Sequence, residues 1–218
     1  RLIEEMMILA NVAAAETLEL KSQPLVYRIH DQPSLAKQEA LRDFLRTLDI
    51  PLAKGIALKP RDFNGILSRV RDTVNEQLVN EVVLRSQSQA VYSPDNIGHF
   101  GLHLRRYAHF TSPIRRYADL IVHRALVRAL SLGDDGLTIE EAAQLPETAA
   151  YISTCERRAM AAERDTIDRL IAHHLHEKIG DTFPGRITGV TKSGLFVILP
   201  AYGADGFVPI STLKDDYY

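Results

Sequence analysis

The residues best suited to chemistry lie between His99 and His123, in the stretch HFGLHLRRYAHFTSPIRRYADLIVH. Ser112 is a good helix N-cap, and Pro113 suits the first helical position, where its missing N–H costs nothing. Arg115 and Arg116 then fall in the first turn of the predicted helix, an end whose partial positive charge disfavours cations. A bound phosphate resolves that conflict. A capped helix N-terminus is an anion site, and the arginine fork matches phosphate oxygens. The competing reading turns both arginines away and pairs them with Asp119, three and four residues on.

From Gly101 to Leu130 the chain carries Arg105, Arg106, Arg115, Arg116, Arg124 and Arg128, with His103, His109 and His123, against a single acid, Asp119. Tyr107, Phe110 and Tyr117 are interleaved with these bases. Arginines mixed with aromatics suit a surface that holds a single-stranded nucleic acid by its backbone and by base stacking. The same run also reads as a basic helix face over a core of Ile114, Leu120, Ile121 and Leu126, and both readings can hold on opposite faces.

HFGL, Tyr107, HFTSPIRRYAD and His123 in this register resemble the RNB exoribonuclease family, of the ribonuclease R and ribonuclease II type. The match runs over His99 to His123. VYSPDNIGHFGL before it, AERD at 162–165 and the opening EEMMILANVAAAE agree with the same family. The resemblance implies an α+β chain: residues 1–178 as the C-terminal part of a mainly helical RNB catalytic domain, and residues 179–218 as the first half of an S1-type OB-fold barrel. It implies processive 3′-to-5′ hydrolysis of single-stranded RNA to nucleoside 5′-monophosphates by metal-activated water, with Mg²⁺ as the cofactor. The family's metal-binding aspartates lie well upstream of the HFTSPIRRY motif, and no such cluster stands here, so no metal ligand is assigned and residues 1–218 alone are expected to be inactive. The alternative is a non-catalytic RNA-binding protein on an RNB scaffold.

The resemblance also assigns roles. Arg115 is the transition-state clamp on the scissile phosphate, and Ser112 with the helix N-terminus holds the same phosphate. Arg116 pairs within the fold or holds a neighbouring phosphate. Asp119 orients an arginine, and His123 lies one turn further on. His109, Tyr107 and Tyr117 are channel-lining or structural. Glu163, in AERD, matches an active-site glutamate of ribonuclease II-like sequences. From its own surroundings it is a carboxylate at the edge of an apolar stripe, which if buried needs a cationic or hydrogen-bonding partner. The family's counterpart of the opening helix lies close to its RNA channel, which implies that Glu5 or Asn11 reaches RNA; by local pattern alone they read equally as a solvated helix flank.

With 26 basic and 28 acidic residues among 218, the net charge is −2, so any nucleic-acid surface must be local. Cys155 is the only cysteine, which excludes an intrachain disulfide and suits a reducing cytoplasm. No apolar run approaches the roughly 20 residues of a membrane helix, and no signal peptide is visible. A monomer is expected. The chain starts at Arg1 without a cap and stops at Tyr218, so it reads as a piece of a longer protein.

The elements that must position these residues follow from periodicity and caps. Leu2, Ile3, Met6, Met7, Ala10, Ala13 and Ala14 predict a helix to about residue 20. QPLVYRIHDQP is a short strand, and Ser34 caps a helix through Leu48. LAKGIAL is a connector. Pro60 opens one helix and Glu76 another, to about Arg85. SQSQAVYSPDNIG is a polar loop, with Tyr92 as a loop anchor or a base contact. The helix from Pro113 runs to about Leu132. Thr138 and Glu141 make a capping box. Pro146 starts a long helix to near Gly180, with a stripe of Ile152, Cys155, Ala159, Ala162, Ile167, Leu170 and Ile171. His173 and His176 near its end are a metal pair or, more simply, a favourable match to the helix dipole. From Gly180 the period becomes two, giving strands around turns at Lys192–Ser193–Gly194 and Gly203, with Phe183, Phe196 and Phe207 as stacking or core rings. Ser193 and Pro209 depart from the family's usual aromatic and histidine on the RNA face of that barrel.

Overall fold

Helix α1 (Leu2–Leu20) opens the structure, a computed structural model that describes residues 1–52 and 58–213. The apolar stripe that predicts this helix is not its buried face. Leu2, Ile3, Met6 and Met7 are exposed, and burial begins at Asn11, Ala14, Ala15 and Leu18. Those residues share a core with Ala118, Val122 and Ala125 of helix α5 (Tyr117–Leu130). Small side chains on both helices allow close approach, so packing there selects alanine over the larger residues of the first two turns.

Residues Arg1–Cys155 form one unit, in which two cores sit side by side. The first joins α1, α5, the start of helix α7 (Leu145–His176) and a two-stranded antiparallel ribbon of β1 (Tyr27–Ile29) and β2 (Val91–Ser93), in which Arg28 faces Tyr92. β2 falls where the sequence suggests only a polar loop. Its three residues gain strand geometry from pairing with β1, which no local pattern reveals. The second core is made by α2 (Leu35–Arg46), α3 (Pro60–Val70) and α4 (Glu76–Ser86) through Leu41, Leu45, Phe63, Ile66, Val79 and Val83. Three helix starts read from the sequence are present: the Ser34 hydroxyl accepts from the Lys37 amide, Pro60 opens α3, and Thr138 and Glu141 close a capping box on the short α6 (Ile139–Ala143). The LAKGIAL connector falls mostly outside the described residues.

The loop from Gly98 to Tyr107 runs along β1. Arg28 N–H donates to Tyr107 O at 2.8 Å, His30 N–H to Gly98 O at 3.1 Å, and Phe100 N–H to His30 O at 2.8 Å. Phe100 then packs against the second core, edge-on to Phe63 with ring centres 6.0 Å apart. The loop that precedes the arginines is thereby tied to both cores.

The second unit, Glu156–Tyr218, holds the rest of α7 and a three-stranded antiparallel meander. Its strands are β3 (Arg186–Thr191), β4 (Gly194–Leu199) and β5 (Ala204–Pro209), as the period-two pattern predicts, with a bulge between Ile187 and Gly189. Gly194 has φ +149°, and a Cβ there would lie 2.1 Å from Val208 O, so the turn into β4 admits no side chain. The stripe predicted along α7 is buried only at its start, at Leu145, Ala149 and Ser153; Ile167 and Leu170 are exposed. The chain is therefore mainly helical with small antiparallel sheets.

Candidate nucleic-acid interface

The segment from Tyr107 to Arg116 is held from below by two buried polar side chains. Asn11, 3% exposed on α1, accepts from the amides of Phe110 (2.9 Å) and Thr111 (3.2 Å) and donates through Nδ2 to the Tyr107 hydroxyl at 2.9 Å. Asp119, fully buried on α5, accepts the next amide, that of Ser112, at 2.7 Å. The same carboxylate takes the Arg116 guanidinium in a fork, Nε to Oδ2 and Nη2 to Oδ1, both at 2.8 Å. This is the bidentate geometry that makes arginine–carboxylate pairs directional.

That fork moves the start of the helix. The sequence places Ser112 at the N-cap and Pro113 at N1. Instead residues 113–115 form a turn, Arg116 is the N-cap with φ −128° and ψ 116°, and α5 begins at Tyr117. Asp119 thus lies in the first turn, where an acid suits the dipole. By holding both Ser112 N–H and Arg116 it outcompetes the local Ser-Pro cap. Arg115 consequently stands outside the helix, and the first-turn repulsion inferred from the sequence does not apply to it. It is exposed, and its side chain has no hydrogen-bond or ion-pair partner among the described residues, beside Ile114, which is 97% exposed.

The other bases of the window are mostly engaged. Arg106 pairs with Glu19 at 3.0 Å, Arg124 with Glu141, and Arg128 Nη1 donates to Leu137 O at 2.8 Å. Arg116 belongs to Asp119. Only Arg105 and Arg115 of the six arginines remain exposed and unpartnered among the described residues. The basic run is therefore no continuous cationic face; it leaves a cation at the turn.

Rings line the segment's other side. Tyr92 OH and His109 Nδ1 are 2.8 Å apart, and Arg28, a residue the sequence reading passed over, lies 4.6 Å above the Tyr92 ring. His109 is edge-on to Tyr107 at 5.6 Å, and Tyr107 to His99 at 5.4 Å. Burial, then the charges of Arg116 and Arg28, pushes the His109 imidazole down to about 3. Burial, His30 and Arg28 push His99 down to about 4. Both rings are neutral at physiological pH. His123 lies flat on Phe110, ring centres 4.3 Å apart, and its Nε2 is 2.8 Å from Phe110 O. Tyr92 and Tyr107 are buried, so they serve as supports, and Asn11 is no solvated flank.

In the second unit Glu163 is exposed on α7, so it is not a buried carboxylate. Phe183 packs edge-on against Tyr202 at 5.4 Å. Phe196 and Phe207 face each other across β4 and β5, centres 5.1 Å apart and 47% and 45% exposed, which leaves ring surface for stacking.

The RNB domain model matches residues 1–132. This chain belongs to the RNB family. The S1 RNA binding domain model matches residues 177–218, so the RNB portion is followed by S1-type sequence. Among curated relatives, ribonuclease R of Escherichia coli K12 is 41% identical over the whole chain, which spans 28% of that protein, and ribonuclease R of Aquifex aeolicus is 42% identical, with 31% of its length spanned. Among solved structures, Mycoplasma genitalium RNase R in complex with ribose-methylated single-stranded RNA has a TM-score of 0.88 at 29% identity, covering 99% of this chain and 34% of that one. The complex of the same enzyme with double-stranded RNA has a TM-score of 0.83 at 28% identity, covering 95% of this chain and 37% of that one.

Proposed function

We propose that this RNB chain supplies the arginine side of the catalytic centre of a 3′-to-5′ exoribonuclease, which hydrolyses single-stranded RNA processively to nucleoside 5′-monophosphates. The observation that carries the reading is Arg115: an unpaired, exposed guanidinium at a turn whose flanks are fixed by Asn11 and Asp119. A donor held in place before the substrate arrives stabilises charge that builds on a phosphoryl group without reorganising. Arg115 would contact the scissile phosphate. Arg116, fixed on Asp119, keeps the turn in shape. His109, neutral and bonded through Nδ1 to Tyr92, would line the channel. In the second unit, Phe196 is proposed to stack on a base, and Glu163 is proposed as a catalytic carboxylate.

Magnesium is the proposed cofactor. Among the described residues no group of three or more His, Cys, Asp or Glu side chains could hold a metal ion. Its ligands are proposed to come from elsewhere in the protein. We further propose residues 1–178 as the catalytic-domain part and 179–218 as the start of the S1-type barrel, in a monomeric cytoplasmic enzyme.

The test uses the full-length protein, a 5′-labelled single-stranded oligoribonucleotide and Mg²⁺. Stepwise shortening from the 3′ end with release of nucleoside 5′-monophosphates is expected. RNA binding without release would make the chain part of a non-catalytic RNA-binding protein, and internal cuts would overturn the exonuclease reading.

A further inference from the structure

We infer that Asn11 is a positioning residue for the arginine site, acting from α1 through the backbone of residues 107–111; the inference rests on the ribonuclease reading above. Asn11 occupies a face of α1 that is otherwise Ala14, Ala15 and Leu18. An amide buried on such a face is unfavourable unless its polar atoms are matched. All three of its side-chain hydrogen bonds leave the helix, and all three reach Tyr107, Phe110 and Thr111, which lie 96 to 100 residues away in sequence. The next amide, Ser112 N–H, is taken by Asp119 from a different helix. Three consecutive amides, 110 to 112, are thus held by two buried side chains on α1 and α5, and the turn 113–115 follows at once.

Arg115 has no side-chain partner among the described residues, so only its backbone aims it. Asp119 fixes the backbone from the helix side. Asn11 fixes it from the side of the approaching chain, and through Tyr107 it also sets the ring against which His109 and His99 pack. A mere attachment of α1 would be served by apolar contact; three bonds on one side chain fix direction as well as distance. Displacing a catalytic donor by about 1 Å costs on the order of 10²-fold in rate.

The test compares the full-length wild type with Asn11→Leu, Asn11→Asp and Val79→Ala. Leucine keeps the branched shape, with somewhat larger volume, and offers no hydrogen bond. Aspartate keeps an oxygen for both amides, and the Tyr107 hydroxyl can turn to donate to it. Val79 is buried in the second core, away from the segment, and serves as a control for lost stability. For Asn11→Leu, single-turnover cleavage at saturating RNA should fall about 10²-fold. RNA affinity, spread over many phosphate contacts, should stay within about threefold. Asn11→Asp should recover most of the rate, and Val79→Ala should keep it despite a lower melting temperature. The Phe110 and Thr111 amides should exchange faster in Asn11→Leu than in the wild type or Asn11→Asp. If Asn11→Leu does not fold, Asn11→Ser replaces it, because its hydroxyl is too short for both amides. A rate for Asn11→Leu no lower than that of Val79→Ala, or an affinity that falls in step with the rate, overturns the inference. If the wild type releases no nucleotides, the ribonuclease reading fails instead. Amide exchange then decides the clamp alone, and unchanged protection of Phe110 and Thr111 overturns it.

Discussion

Replacing Asp119 by alanine should destabilise the first unit by about 3 to 4 kcal/mol. The carboxylate is fully buried and accepts three hydrogen bonds, two from Arg116 and one from Ser112 N–H. Removing one partner of a buried ion pair typically costs about 3–5 kcal/mol. The Arg116 side chain is 23% exposed, so water can reach part of the freed guanidinium, which brings the cost to the bottom of that range or just below it, ~2–3 kcal/mol. The stranded Ser112 N–H adds about 1 kcal/mol. In a unit of this size each kcal/mol lowers the melting temperature by roughly 2–4 °C, so a drop of about 10 °C is expected. Denaturant unfolding and calorimetry measure it. The double variant Asp119→Leu with Arg116→Met should recover most of the loss, because two apolar side chains leave only one amide unmatched. A loss under about 1 kcal/mol for Asp119→Ala, or a double variant no better than the single one, would refute the fork as the element that fixes this turn.

Arg115→Ala in the full-length protein should slow single-turnover cleavage by ~10²–10³-fold while lowering RNA affinity far less, and Arg115→Lys should also fail for want of the planar fork; equal losses in rate and affinity would make Arg115 a simple binding contact. Glu163→Ala should leave the melting temperature unchanged, since the side chain is exposed, and an unchanged cleavage rate as well would rule out a catalytic role for it. His109 and His99 have folded pKa values of about 3 and about 4, below the ordinary 6.5, so the unfolded chain takes up their protons first as pH falls. Their contribution to stability is complete above pH 6.5 and is lost as pH drops toward those folded values. His109→Phe should therefore flatten the decline in unfolding free energy between pH 6.5 and pH 4, and a slope equal to the wild type would contradict the neutral imidazole.

Much of the fold is legible in the sequence because its cues are local. Ser34, Pro60 and the Thr138–Glu141 box mark helix starts within four residues of themselves, and strict alternation after Gly180 marks the meander. The failures share a different cause. The Ser112–Pro113 cap is a sound local signal, yet Asp119 claims the Ser112 amide and delays the helix to Tyr117. The stripes of α1 and α7 are real periodicities, but periodicity does not say which residues are covered. Arg28 as a site residue and the hydrogen-bond partners of Asn11 are illegible in the sequence because those partners lie far along the chain, on Tyr92 and on residues 107–111. The motif and its Arg116–Asp119 pair are readable; the hold of Asn11 on residues 107–111 is not.

The bond between Asn11 and Phe110 bridges 99 positions. The native partners of the Asn11 side-chain oxygen do not exist until Phe110 and Thr111 have been made, so until then water must satisfy it. Closing so long a span is entropically slow, and contacts of such separation form late in folding. The helices of the second core, α2 to α4, and their neighbours in sequence can assemble well before then. The scaffold of the second core is thus expected to form early, and the turn that carries Arg115 to take its final shape only when the first helix and the fifth are joined.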